Sequence, residues 1–391
     1  MSMCVPLRTR LEAAVVPAYR VPRSLVHVTH NALRDEILQA LEPLLFDAVK
    51  FSHSTIEQLE ACFAAVVQRK HALAVNSATS GLFLALLASG VVSGDEVITV
   101  GNSDISTTSA ISHCGAHAVF CDICSSDFTL DPSIVAALIT PRTKAIMPVD
   151  LYGHPADVRA LRALADRHGL VIVEDAALAL GARDHGLPVG AFSDVTVFSF
   201  GTSKPVGSLG NGGVVATDDD QIAEQLLLYR GYGRSPKDKI DPGNAMYHEV
   251  EGYNLSLDPL QAAIVSVKLP YLDQWTRRRG EIAAMYAAGL ADTGLTLPTF
   301  RATAEPLFHS YVIRTPRRDE IHLGLRRHGV ESVLHYCPPI LQQPVYRNLG
   351  YSTGALPVTD QVGQEFVCLP TPPELSDNDA QFVVDTLKSL L

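Results

Sequence analysis

The sequence predicts an α/β protein, with a mostly parallel seven-stranded sheet in a large domain and a smaller α+β C-terminal domain. Three observations predict it. Short, mostly apolar runs recur at 71–76, 96–100, 117–122, 144–149, 170–174, 195–200 and 213–217, as strands buried on both faces do. Most are separated by helix-like stretches such as Gly81–Ala88, Pro132–Ile139 and Asp157–His168, and strands alternating with helices build parallel sheets. Beyond about residue 270 this alternation stops. The expected division is 1–269 for an N-terminal segment plus the large domain, and 270–391 for the small one.

Ahead of the first strand, Leu33, Ile37, Leu38, Leu41, Leu44 and Leu45 fall at helical spacing and predict a helix over about 33–49. A second helix is predicted over about 54–68, with Ser54 as its cap and Glu57 completing a capping box. The last two strands are only about 12 residues apart across a Gly-rich link. A parallel crossover needs about that many residues or more, so this pair is open to antiparallel pairing. In the C-terminal part the pattern gives a helix from Leu272 to about Leu290, a strand over Phe308–Arg314, a helix over Asp319–His328 and a closing helix over Ala380–Leu391.

The chain has 391 residues, 47% hydrophobic and 19% charged, the balance of a compact globular enzyme. Its net charge of −11 argues against nucleic-acid binding, which uses a basic face. No apolar run approaches about 18 residues, so no membrane span is expected. Met1-Ser2-Met3-Cys4-Val5-Pro6 lacks an apolar signal core, and cytoplasm is the expected compartment. Seven cysteines suit reduced thiols. Cys121 and Cys124 form a C-x-x-C at a strand end, with no second pair at zinc spacing, so they are read as structural and no metal is expected.

Three features fall at C-terminal strand ends, where open α/β sheets build their sites. Asn76-Ser77-Ala78-Thr79-Ser80-Gly81 follows a strand and opens a helix. Its small residues suit either an anion cradle or an ordinary helix cap. Glu174-Asp175 ends the apolar run Val171-Ile172-Val173. A carboxylate there suits a protonated ring nitrogen, a metal or a ribose, or is a solvated terminus. Lys204 sits in a small-residue loop after Phe198-Ser199-Phe200 and before Gly210-Asn211-Gly212-Gly213. Desolvated, its amine would attack carbonyls; exposed, it would be a surface lysine. In this order the three supply the contacts of pyridoxal 5'-phosphate (PLP): an anchor for its phosphate, an acid for its ring nitrogen and an amine for its aldehyde. No G-x-G-x-x-G follows the first strand, which disfavours a nicotinamide cofactor.

These motifs, with Gly94-Asp95-Glu96-Val97-Ile98, Leu151-Tyr152-Gly153-His154-Pro155, Gly252-Tyr253-Asn254, Gln261-Ala262-Ala263, His309-Ser310-Tyr311 and His335-Tyr336, resemble the DegT/DnrJ/EryC1/StrS family of PLP-dependent sugar aminotransferases in one unbroken order over about 50–390. The resemblance implies the fold-type I PLP-transferase architecture and a homodimer with shared active sites. It makes Lys204 the lysine bonded to PLP and Asp175 the partner of the pyridine nitrogen. Ser199 and the backbone at Ala78 and Thr79 hold the phosphate, and Asn254 reaches the phosphate of the neighbouring subunit's cofactor. Leu178 and Ile105 are expected against the cofactor.

Three positions and one segment depart from the family pattern. Leu178 stands where a Gln is usual, Asp150 where a His is, and Ser256 where an Arg is; 101–107 lacks the aromatic that covers the ring. The implied reaction moves an amino group from an amino acid, Glu or Gln by analogy, to a keto sugar, nucleotide-linked keto sugar or keto cyclitol. A sugar dehydratase or other elimination on the same scaffold is the alternative, and a catalytically silent PLP-binding protein the third reading. His309 and His335 are further candidates for the substrate site, and Arg230, Tyr232 and Arg234 for an interface loop.

Overall fold

The computed structural model describes residues 19–234, 247–348 and 354–391; the N-terminal signal expectation falls on residues outside these. All seven predicted strands form: β1 His71–Val75, β2 Glu96–Val100, β3 His117–Cys121, β4 Thr143–Ile146, β5 Val171–Asp175, β6 Val195–Ser199 and β7 Gly213–Thr217. They make one sheet in the order β1-β7-β6-β5-β4-β2-β3. β7 runs antiparallel to both β1 and β6, because the short Gly-rich link before it cannot cross over. The pairs β2–β3, β2–β4, β4–β5 and β5–β6 are parallel.

Alternate strand residues serve opposite faces. Leu73, Val75, Val197 and Val215 pack with Leu82 and Leu86 of the helix Ala78–Ala88. Ala72, Ala74, Phe198 and Val214 pack with Leu59 and Phe63 of the helix Ala48–Val67. Phe63 is fully buried and meets the edges of Phe198 and Phe200 at 5.4 and 5.5 Å between centroids. These phenylalanines flank Ser199, so this contact fixes where β6 delivers its end. Gly81 lets the Ala78–Ala88 helix lie close on the sheet, since a Cβ there would come within 2.8 Å of Val197 Cγ1.

A separate core joins the helices Leu272–Leu290 and Asp377–Leu390 to the hairpin-like pair Tyr311–Arg314 and Phe366–Leu369. Val21 belongs to this C-terminal core, pinned by Val21 N–H to Gly329 O (2.9 Å) and Glu331 N–H to Val21 O (2.8 Å). The start of the described chain is therefore tied to its C-terminal part.

The helices before β1 differ from the sequence expectation. The helix expected over 33–49 ends at Phe46, and Ala48–Val67 begins beyond Asp47, whose φ of −147° is non-helical. Ser54 is an interior residue of that helix, its hydroxyl donating to Phe51 O at 3.1 Å, and not a cap. A short helix, Val26–Ala32, was not expected; only Thr29 of it is buried, so it carries no apolar periodicity. The strand expected from Phe308 starts at Tyr311, because Phe308 takes a positive φ of 56°.

Phe63→Ala should cost about 3–5 kcal/mol, the usual range for emptying a fully buried aromatic site. A urea-unfolding midpoint within error of the wild type would show that this packing is not what holds β6.

Candidate active site

The ends of β1, β5 and β6 converge on one cleft. Ala78, Thr79, Ser199, Asp175, Leu178 and Lys204 all line it. At its anion end, Ser77 caps the helix Ala78–Ala88, its Oγ accepting from Ser80 N–H at 3.1 Å. The N–H groups of Ala78 and Thr79 belong to the first turn, which has no intrahelical acceptor and carries the positive end of the helix dipole. Gly213 leaves room beside them, since a Cβ there would meet Ala78 N at 2.8 Å. Ser199 Oγ accepts from Gly201 N–H at 3.2 Å. Backbone and hydroxyl donors therefore converge where a small dianion would sit.

Asp175 ends β5 with only 4% of its surface exposed. Thr107 Oγ1 donates to its Oδ2 at 2.8 Å and Ala177 N–H to its Oδ1 at 3.2 Å; Ser103 Oγ lies 2.7 Å from Thr107 Oγ1. Burial raises the Asp175 pKa, against the pull of these donors and of Lys204. A cationic ring N–H at Asp175 would compensate the buried charge. Burial lowers the pKa of Lys204, while Asp175 and Asp104 resist the shift. More of its amine is thereby deprotonated and nucleophilic.

The Lys204 loop is braced from within. Lys204 N–H donates to Gly201 O (2.8 Å), Phe200 N–H to Gly212 O (2.8 Å) and Ser208 N–H to Phe200 O (2.8 Å). Gly207 has no space for a side chain, because a Cβ would collide with Thr202 O. Lys268, 3% exposed, donates its ammonium to Gly207 O, and burial drops its pKa to about 8. Sequence reasoning missed Lys268; its signal was a lysine closing the apolar run Ile264-Val265-Ser266-Val267. Thr107 was missed as well, since a threonine near a helix start has no distinguishing local mark.

Behind Asp175 lies a second acidic pair. Asp150 is fully buried and Glu174 nearly so. Asp150 Oδ1 accepts from Ala156 N–H at 2.8 Å, whereas Asp150 Oδ2 and Glu174 Oε2 have no conventional donor. The two carboxyls lie within hydrogen-bonding reach of each other. Burial, and then the facing Glu174 charge, pushes Asp150 well above the usual carboxylate range.

Not every expected residue meets the cleft. Ile105 is 46% exposed, and its neighbours Asp104 and Ser106 line the cleft in its place, because Asp104 caps the helix Ile105–His113 and turns Ile105 outward. Asn254 is exposed, its backbone bridging to Gly231, and it does not line the cleft of its own chain. Arg230 is taken up by Glu60 and Ala74 O, while Tyr232 is 52% exposed. An aromatic wall arrives from outside 101–107: Tyr336 lines the cleft and stacks on His335 at 4.9 Å between centroids. His309 and His335 both lie on the far side of Lys204, with His335 at a pKa of about 4 through burial and the nearby Arg23. Burial holds the Cys121 and Cys124 thiols up at about 12, protonated at neutral pH.

The model of the DegT/DnrJ/EryC1/StrS aminotransferase family matches residues 31–388. The chain belongs to this family. It is 42% identical over 370 residues to the erythromycin biosynthesis sensory transduction protein EryC1 of Saccharopolyspora erythraea, covering 94% of this chain and 99% of that protein. It is 40% identical to the dTDP-3-amino-3,4,6-trideoxy-alpha-D-glucose transaminase of Streptomyces venezuelae, covering 94% and 96%. A solved structure of DesV from S. venezuelae superposes with a TM-score of 0.89 at 39% identity, covering 95% of this chain and 98% of that one. The fold is thus fold-type I, and the protein is a PLP-dependent aminotransferase. The donor set fits that cofactor: helix-turn N–H groups and Ser199 for phosphate, buried Asp175 for a ring cation, and the partly desolvated Lys204 for an aldehyde.

The Asp150–Glu174 pair makes stability depend on pH. An unfolded Asp150 loses its proton near the ordinary value of 3.8, whereas the folded one keeps it to higher pH. Stability from this group is therefore full below 3.8 and declines as pH rises toward the raised folded value. Asp150→Asn, which can donate to Glu174, should flatten that decline in urea midpoints taken from pH 4 to pH 8. An unchanged slope would place the proton elsewhere.

Proposed function

We propose that this aminotransferase takes an amino group from glutamate or glutamine and delivers it to the keto carbon of a nucleotide-linked sugar, acting as a cytoplasmic homodimer. The observation that carries the reading is Lys204 held between a dianion cradle and a buried carboxylate in one cleft. The sugar acceptor rests on relatives named as transaminases of dTDP- and UDP-linked sugars. The dimer rests on Asn254, which is exposed and does not line its own cleft, as a residue serving a neighbouring site would be.

PLP supplies an aldehyde that condenses with amines and a ring that withdraws electrons from the reacting carbon. Each remaining role belongs to the chain. Lys204 Nζ would hold the cofactor's aldehyde carbon at rest and, once freed by the donor amine, would act as the general base and acid that moves the proton of the donor α-carbon. Burial lowers its pKa, which favours the free amine that such a transfer needs. Asp175, oriented by Thr107 and Ala177 N–H, keeps a proton on the ring nitrogen. The N–H groups of Ala78 and Thr79, with Ser199 Oγ, hold the phosphate. Leu178, 7% exposed, offers only apolar contact where a hydrogen-bond donor is usual, so ring position depends more heavily on Asp175 and Lys204.

The purified PLP form, incubated with L-glutamate, should convert to the pyridoxamine form and release one equivalent of 2-oxoglutarate. Subsequent addition of a dTDP-keto-sugar should restore the PLP form. Lys204→Ala should lose at least about 10³-fold in rate and give no borohydride-trapped adduct at that position. Loss of water from the sugar without any amino transfer would instead identify an elimination, and binding of PLP without exchange with any donor would identify a silent protein.

A further inference from the structure

Lys204 also lines a second, narrow cleft that does not include the phosphate cradle, between residues 23–29 and the C-terminal part of the chain. This cleft is cationic. Arg279, only 6% exposed, donates Nη1–H to Thr371 O at 2.8 Å but leaves its Nε without a partner, and the Nδ1 of His309 beside it has none either. Burial, followed by the neighbouring Arg279, drives the His309 pKa well below its usual value. Glu374 is the acid in the cleft and is engaged by the Thr29 hydroxyl.

Arg23 stands at the mouth of this cleft. The Val21–Gly329 and Val21–Glu331 hydrogen bonds fix the segment, and Arg23 N–H adds a contact to Glu331 Oε2 at 3.0 Å. Its Nη1 donates to His335 Nε2 at 3.2 Å. His335 is neutral at physiological pH, so this contact orients the guanidinium without neutralising it. Among the described residues no carboxylate forms an ion pair with the Arg23 side chain. Its charge is felt at Lys204, His309 and Tyr336, the groups around the reacting centre; Asp175 and Asp104 are acids on the cofactor side. Arg23 also lies ahead of the residues matched by the family model, which begin at 31.

We propose that Arg23, oriented by His335 and backed by Arg279 and His309, is the subsite for the α-carboxylate of the amino-acid donor. This rests on the aminotransferase reading above. The donor nitrogen takes the place of Lys204 Nζ, and the carboxylate is attached to the very carbon that bears that nitrogen. It must therefore sit within a few bonds of Lys204, where the guanidinium charge is felt. The phosphates of a nucleotide-linked sugar hang several bonds further from the reacting carbon and need a cation further out. An exposed arginine can pair with a carboxylate through two parallel N–H groups, which also sets the orientation of the α-carbon.

The test uses the PLP-loaded protein and two readouts. Glutarate, a dicarboxylate with no amine, is titrated while the fluorescence of Trp275 is followed; Trp275 lines this cleft and is the single tryptophan of the chain. Arg23→Gln should raise the glutarate Kd about ten-fold or more, the scale of a lost charge-assisted hydrogen bond, with Arg23→Lys in between. In the half-reaction with L-glutamate, Arg23→Gln should raise the half-saturating concentration by a similar factor. The advantage of glutamate over an amine lacking a carboxylate should shrink accordingly. Unchanged glutarate and glutamate affinities in a variant with wild-type thermal stability would overturn the subsite. So would an equal loss toward amines with and without a carboxylate, or an effect on the keto sugar alone. A wild-type protein that converts no amino acid at all would instead overturn the aminotransferase reading.

Discussion

The chemistry of this protein depends on placing a lysine amine and an aspartate carboxylate together in partial desolvation. Each shifts the other's surroundings: burial drives Lys204 toward its neutral form and Asp175 toward its protonated form, while their mutual attraction opposes both changes. A cofactor with an aldehyde at one end and a basic ring nitrogen at the other answers both costs at once. The aldehyde consumes the free amine, and the ring N–H gives the buried carboxylate a cation.

That placement is an expensive thing for a loop to hold, and the surrounding structure shows how it is held. β6 is clamped by Phe63 against Phe198 and Phe200, so its end cannot drift. The loop then doubles back within a few residues, which requires Gly207 and is closed from below by the ammonium of Lys268. Lys268 is itself buried, and its hydrogen bond to Gly207 O is what makes that burial tolerable. One buried lysine therefore positions another that does chemistry.

The acidic residues at the end of β5 divide the work. Asp175 faces the cleft and is served by Thr107 and Ala177 N–H. Glu174, the next residue back, points to the opposite face as strand geometry demands and meets Asp150. The Asp150 carboxyl, its pKa raised by burial, lies behind the cofactor acid, within a wall where a second full negative charge would be costly. Tyr336, delivered from the C-terminal part, gives the cleft an aromatic surface that 101–107 does not provide.

By itself the sequence determined the sheet, the three strand ends and the family. All three rest on local signals: apolar runs of strand length, small residues opening a helix, and motifs in fixed order. The helix starts were less legible, because Asp47 breaks the first run by its backbone angle and not by composition. Only the tertiary structure decided that Ile105 turns outward while Asp104 lines the cleft, that Asp150 meets Glu174, and that Thr107 serves Asp175. It alone brought Arg23, His309, Arg279 and His335 around Lys204. The physical reason is that these residues share no strand, helix or motif. A single side chain in a non-periodic segment leaves no trace of its partner in the sequence, and its role is set by how distant parts of the chain pack.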